Sequence, residues 1–261
     1  MSNVRAFLVL LIFFAMVLLS ALWQGPAVKF RLDRRKTFPP KFHKIWCWLF
    51  GIRVIVVGKP AKGACLLVAN HQSYLDIPVL GSTTPLSFIA RHDIANWPFV
   101  GLMVRLQESV LVERKRRGRA GQQMGAVRAR LAQGDSIAIF AEGTTSDGGH
   151  VLPFKSTLLA AAVGEYPGEA HFPVQPVSVS YVGLHGMPIF REDRQIYAWI
   201  GDISLMPHVW NLLKAGPLDV VVQFHTPISD MQGGRKAVAV AAERAVRAGH
   251  LAAPRLWRNA A

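Results

Sequence analysis

Two side chains in the segment Asn70-His71-Gln72-Ser73-Tyr74-Leu75-Asp76 have the types and spacing to move a proton. A carboxylate that accepts the N–H of one imidazole nitrogen fixes the tautomer and makes the other nitrogen a better general base. His71 and Asp76 are five positions apart. In one continuous helix that separation turns two side chains roughly 140° away from each other. A break in the chain between them lets the carboxylate fold back onto the imidazole. The preceding run, residues 64–69, is short and apolar and ends in polar residues, the pattern of a buried strand. Ser73 is a helix N-cap type with an acidic residue three places later, as in a capping box. The local expectation is therefore strand, turn, helix, with His71 on the turn and Asp76 in the first helical turn. Such a dyad needs an outside nucleophile, for example a substrate hydroxyl. The same residues also fit a plainer reading, in which Asp76 only caps a helix and His71 only bonds a backbone carbonyl.

A second segment lies downstream. Residues 136–140 form another short apolar run, followed by Ala141-Glu142-Gly143-Thr144-Thr145-Ser146-Asp147-Gly148-Gly149. An acidic residue, hydroxyls and glycines leave a strand end together, and backbone N–H groups of a Gly-rich turn can hold an anion or an oxyanion. Read alone, this is equally an ordinary polar turn.

Taken together, the segments resemble the bacterial glycerolipid acyltransferase family, of the 1-acyl-glycerol-3-phosphate (lysophosphatidic acid) acyltransferase type. Four blocks match in the family's order: Asn70 to Asp76 as the H-x4-D block; Val110-Leu111-Val112-Glu113-Arg114 as an apolar-acidic-arginine block; Phe140 to Thr145, similar to F-P-E-G-T-R; and Val174-Gln175-Pro176-Val177-Ser178-Val179, similar to V-x-P-V. The likeness spans roughly residues 42–228. It implies that His71 is the general base on an acceptor hydroxyl and Asp76 its orienting partner. It also implies that Glu142 and the Gly143–Thr144 turn belong to the acceptor site, that Arg114 holds an anionic head group, and that Pro176 and Val177 line the acyl or acceptor region. Arg91 resembles a family basic position, with His92 beside it. No covalent acyl-enzyme is implied, so neither cysteine nor Ser73 needs to be a nucleophile. No cofactor is implied either: an acyl carrier protein thioester or acyl-CoA is the co-substrate. Two positions depart from the pattern. Thr145 stands where the family has arginine, and Ala141 where it has proline. An arginine's planar fork suits a phosphate, where threonine offers one hydroxyl. The F-A-E-G-T-T form resembles the branch that acts on lyso-ornithine or other lyso-aminolipids, although Arg114 remains available for a phosphate.

Bulk properties bound the reading. The chain has 261 residues, enough for one sizeable core plus an accessory element, and 51% of them are hydrophobic. Residues 6–23 are uncharged and apolar except for Ser20. As a helix they reach about 27 Å, enough to cross or dip into a bilayer. No small-x-small cleavage site follows, which argues against a cleaved signal peptide. Lys29, Arg31, Arg34, Arg35 and Lys36 follow the apolar run, with only Arg5 before it. The positive-inside tendency then places the downstream domain in the cytoplasm, and with the family likeness the expected location is the bacterial inner membrane. The formal net charge of +14 calls for an anionic partner. The chain has no nucleic-acid motif, which leaves an anionic membrane surface or an acidic acyl carrier protein, the latter drawn to the Arg114-Lys115-Arg116-Arg117-Gly118-Arg119 run. Cys47 and Cys65 sit in apolar contexts without metal spacing, as buried thiols.

Along the chain, residues 38–50 read as an apolar helix after Pro39-Pro40, with Trp46 and Trp48 suited to an interface. Strands are expected at 52–57, 64–69, 87–90, 110–112, 136–140, 174–181, 196–200 and 218–224. Helices are expected from Ser73, around Met124, Val127 and Leu131, and at 154–163, 204–215 and 236–251. Strands alternating with helices predict an α/β fold: a single acyltransferase domain with a central mixed or largely parallel sheet flanked by helices, preceded by an N-terminal membrane helix. The expected division is 1–50 as the membrane-associated segment, 51–252 as the domain and 253–261 as a tail. A non-catalytic basic membrane-binding protein on the same fold and a metal-assisted lipid hydrolase are the rival readings. Beyond His71, Asp76 and Glu142 no further His or Cys cluster completes a metal set, so no metal is expected.

Overall fold

The computed structural model describes residues 3–112, 120–164 and 171–260. Glu113, Arg114 and the rest of the basic run lie outside the described residues. The central sheet has eight strands: β1 (Ile52–Val57), β2 (Leu66–Ala69), β3 (Ser87–Arg91), β4 (Val110–Val112), β5 (Ile137–Phe140), β6 (Val174–Leu184), β7 (Met187–Pro188) and β8 (Leu218–Phe224). Their order is β1-β8-β6-β2-β5-β3-β4, with β7 as a short hairpin on β6. β6, β2, β5, β3 and β4 run parallel, and β8 with β1 runs the other way. The sheet is therefore mixed. The C-terminal ends of β2, β5, β3 and β4 open onto one edge, where α/β folds gather ligand-binding loops.

The central strands are buried almost without interruption because both faces of the sheet are covered, and β2 and β5 are wholly apolar. Successive side chains point to opposite faces. Leu67, Ala69, Val177, Val179 and Tyr181 join one core beneath helices α1 (Asn3–Lys29), α2 (Arg34–Leu49), α3 (Asp76–Gly81) and α8 (Leu205–Ala215). Leu66, Val68, Ile137, Ile139 and Val174 join the other, beneath α5 (Ala120–Ala132), α6 (Ala160–Val163) and α9 (Gly234–Ala260). The remaining helices are α4 (Val100–Leu106) and α7 (Arg194–Tyr197), with 3-10 turns at His92–Asn96 and Ser156–Leu159.

Helix α1 lies on the domain along its length. Ala6, Val9, Phe13, Val17, Ser20, Gln24 and Ala27, spaced three or four apart, are buried. Phe13 packs its ring 4.7 Å from Trp46, 5.2 Å from Phe50 and 6.1 Å from Phe99. The other face, including Phe7, Leu8, Leu11, Ile12, Leu18, Leu19 and Leu22, is apolar and exposed. By length and composition α1 is also sufficient to cross a bilayer. Helix α2 begins ahead of Pro39-Pro40, not after them. Pro39 has no N–H to give the Arg35 carbonyl, and Gln24 Nε2 of α1 supplies the missing donor at 2.9 Å.

Other expectations are corrected. Ser73 does not start α3: the helix begins at Asp76, and Ser73 Oγ accepts only the Leu75 N–H at 3.3 Å. Residues 196–200, apolar enough for a strand, instead finish α7 at Tyr197 and continue without regular structure, with Tyr197 buried against the sheet and the Trp199 N–H bonded to Gln72 O at 2.9 Å. The expected tail at 253–261 is helical through Ala260. Ala253 and Trp257 are buried there, and Trp257 Nε1 donates to Asp219 Oδ2 at 3.0 Å. Tertiary burial carries α9 through Pro254 where local propensity stops.

Candidate active site

At the C-terminal end of β2 the chain leaves the sheet through a side chain. Backbone pairing with β6 reaches Ala69 opposite Val177. Asn70 then continues the ladder with its amide, giving Nδ2–H to Val179 O at 2.8 Å and accepting the Val179 N–H on Oδ1 at 2.9 Å. Gln72 Nε2 donates to the same carbonyl at 2.8 Å. The backbone between them is free to turn, and His71 sits on that turn.

The turn brings the carboxylate back. Asp76 Oδ2 lies 2.8 Å from His71 Nδ1 and also accepts the N–H groups of Gln72 at 2.7 Å and Ser73 at 3.0 Å. Asp76 has no exposed surface, while the His71 side chain keeps 20% of its own. An acceptor that strong at Nδ1 makes it the protonated nitrogen and leaves the Nε2 lone pair for chemistry. The imidazole lies flat on Phe140, ring centres 3.9 Å apart and 8° from parallel. Phe140 in turn stacks on Phe88 at 6.2 Å. The ring is thus fixed in direction by Asp76 and in plane by β5.

The loop after β5 clamps the turn from the other side. Ser146 gives its N–H to His71 O at 2.9 Å. Glu142 Oε1 accepts the His71 backbone N–H at 3.2 Å. Glu142 is buried, and burial pushes its carboxyl up to about 8, with the nearby Asp76 adding to the rise and the His71 N–H opposing it. Its second oxygen accepts no hydrogen bond of ordinary geometry, although the Leu152 N–H faces the carboxyl closely enough to draw it down. Gly143 takes φ +70°, and a Cβ there would come within 2.8 Å of Lys155 Nζ. The left-handed φ favours glycine there, while the Lys155 side chain is long enough to swing aside. A base with one free nitrogen, at a partly open strand edge, beside a turn that holds a neutral-leaning carboxyl, can take a proton from a hydroxyl presented to it.

The model of the acyltransferase family matches residues 53–180. A lyso-ornithine lipid O-acyltransferase from Brucella abortus is 41% identical over 251 residues, covering 95% of this chain and 94% of that protein. The chain belongs to the acyltransferase family. A second lyso-ornithine lipid O-acyltransferase, from Rhizobium meliloti, is 42% identical over 214 residues, 80% of this chain and 73% of its own. A 1-acyl-sn-glycerol-3-phosphate acyltransferase from Neisseria gonorrhoeae is 32% identical over 171 residues, 64% of this chain and 63% of its own. Among solved structures, the 1-acyl-sn-glycerophosphate acyltransferase of Thermotoga maritima aligns with a TM-score of 0.64 at 26% identity, covering 94% of this chain and 96% of that one.

In this acyltransferase the structure brings His71, Asp76, Glu142 and Gly143 together. Thr144 is exposed and Thr145 half-buried on the same loop. Pro176 is placed elsewhere: it is buried within β6 opposite Val68, with its oxygen accepting the His225 N–H at 3.0 Å. Arg91 ends β3 on the site edge, exposed and forked onto Asp93 at 2.9 and 2.5 Å. Arg114 lies outside the described residues. Among the described residues no three His, Cys, Asp or Glu side chains gather as metal ligands. Sequence reasoning missed the Asn70 amide, the Phe140 stack and Tyr181, whose hydroxyl reaches Asp76 Oδ1 at 2.8 Å. For Tyr181 a signal existed. A phenol in a buried strand has to find a polar partner for its hydroxyl.

Proposed function

We propose that this acyltransferase moves a fatty acyl group from an acyl thioester to the free hydroxyl of a lyso-ornithine lipid or related lyso-aminolipid. The observation that carries the reading is the fully buried Asp76 carboxylate on His71 Nδ1, which leaves Nε2 as base. His71 takes the hydroxyl proton as the lipid oxygen attacks the thioester carbonyl. The C–S bond then breaks, and the departing thiolate leaves with that proton. Asp76 stabilises the imidazolium that forms between the two steps. The 142–145 turn, with Glu142, Gly143, Thr144 and Thr145, borders the acceptor, and Arg114 is its candidate cation. The acyl carrier protein thioester is the favoured donor, given the net charge of +14, with acyl-CoA as the competitor.

The exposed apolar face of α1 supports association with a membrane, and we assign it to the cytoplasmic leaflet of the bacterial inner membrane. Residues 1–50 then form the membrane-facing segment and 51–260 the transfer domain. Lys29 and Arg31 are exposed for lipid head groups. Arg34 lies over the Trp23 ring at 4.5 Å. Arg35 and Lys36 are drawn into ion pairs with Glu108 and Asp135, so less of the basic flank is left for lipid than its sequence suggests.

A second acceptor, lysophosphatidate, is favoured by the likeness to the 1-acyl-sn-glycerol-3-phosphate acyltransferases. The test incubates purified protein in neutral detergent with labelled carrier-protein and coenzyme A thioesters and a panel of lysolipids, and identifies products by mass. The expected product is the acylated lyso-aminolipid. A clear preference for lysophosphatidate rejects that acceptor, and no acylated lysolipid at all rejects the reaction.

A further inference from the structure

The Asp76 carboxylate has two oxygens, and one of them reaches His71. Oδ2 carries the imidazole N–H and two backbone N–H groups. Oδ1 accepts the Tyr181 hydroxyl at 2.8 Å. Tyr181 rises from β6, is 6% exposed, and stacks on Tyr197 of α7 with ring centres 4.3 Å apart and planes 18° from parallel. Tyr181 is outside all four family blocks quoted above.

We propose that Tyr181 is a positioning residue for the transfer reaction: its hydroxyl holds Asp76 Oδ1 so that Oδ2 stays on His71 Nδ1, and it moderates the negative charge the imidazole feels. The inference rests on the reading of His71 as general base. Asp76 has no exposed surface, so a lost Tyr181 donor is not replaced by bulk water. An undonated Oδ1 would compete with Oδ2 for the same N–H groups and pull the carboxylate out of line. The phenol is always available as a donor, because burial first and Asp76 second push it well above its usual range.

A hydrogen bond to the carboxylate also spreads its charge. Without it Asp76 holds the imidazolium proton more tightly, and His71 is protonated, and so lost as a base, at a higher pH. The other ionisable groups around the pair are Glu142 on the β5 loop, Tyr197 on α7 and Cys47 on α2. Arg247 of α9 acts on Glu142, and Arg194 and Asp147 act on Tyr197. None of them is changed by removing one oxygen from Tyr181.

Tyr181→Phe keeps the ring and its stack and removes only the donor. It should lower kcat about tenfold with KM for both substrates within about twofold, and move the acid limb of kcat/KM to higher pH. Wild-type kcat with an unmoved acid limb overturns the proposal. So does a raised KM with an unmoved limb, the mark of loosened packing. A monofluorinated tyrosine placed at 181 is nearly isosteric and a stronger donor, so it should move the acid limb to lower pH. It keeps the question decidable if Tyr181→Phe does not fold, and no movement there also overturns the proposal. All variants are read beside wild type and His71→Ala. An inactive wild type refutes the function itself, whereas an active wild type with indifferent Tyr181 variants refutes only the positioning role.

Discussion

Asp76 Oδ2 and His71 Nδ1 lie 2.8 Å apart across a turn whose own N–H groups, from Gln72 and Ser73, converge on the same oxygen. The carboxylate is thus held by the turn that carries the imidazole. Replacing His71 by Ala should lower turnover by roughly 10²–10⁴-fold while the protein still melts cooperatively. Asp76→Asn should be comparably severe, because an amide also presents a donor to Nδ1 and admits the wrong tautomer. Near-normal turnover in well-folded His71→Ala protein would remove His71 from the mechanism.

Glu142 links the site to stability through pH. Its carboxyl is raised from the ordinary carboxylate range to about 8, chiefly by burial. Between about 4.5 and about 8 the unfolded chain loses this proton and the folded chain keeps it, so the folded state binds more protons and stability falls as pH rises. Glu142→Gln mimics the protonated form and can still accept the His71 N–H. The variant should therefore gain melting temperature relative to wild type as pH goes from 5 to 8. Melting curves that stay parallel across that range would show that Glu142 titrates normally.

Two faces of α1 should respond in opposite ways. Leu11→Gln, Leu18→Gln and Leu22→Gln together change only exposed residues, and should shift protein from the membrane fraction to the soluble one with little change in melting. Phe13→Ala opens a hole among Trp46, Phe50 and Phe99 and should cost about 3–5 kcal/mol. Salt alone stripping the wild-type protein from membranes would argue that the apolar face is not inserted.

Acceptor choice is expected to turn on Thr145. Thr145→Arg restores a planar cation to the half-buried position where the family carries one. Product ratios from mixed acceptors should move toward acylated lysophosphatidate and away from the lyso-aminolipid product. An unchanged ratio would place acceptor choice elsewhere, with Arg114 the next residue to vary.

His71 and Glu142 lie just beyond short apolar strands, which is a local signal, but it was the resemblance across four blocks that marked them, with Asp76 and Gly143, as candidate site residues. Strands β1, β4 and β8 were legible residue for residue from local signals: β-branched runs between turn formers. What lay outside local reach was decided by contacts distant in the chain. The apolar stretch 196–200 has strand composition, but Tyr197 packs its ring on Tyr181 rather than pairing in the sheet. Residues 253–260 are helical because Trp257 is buried and bonded to Asp219, on β8. Pro176 belongs to a recognisable block yet is buried within the sheet, in register with Val68 of β2. The two oxygens of Asp76 divide the same way. Oδ2 is held by His71, Gln72 and Ser73, within five residues, and that geometry follows from the turn. Oδ1 is held by Tyr181, 105 residues away, and only the pairing of β6 beside β2 brings that hydroxyl to it.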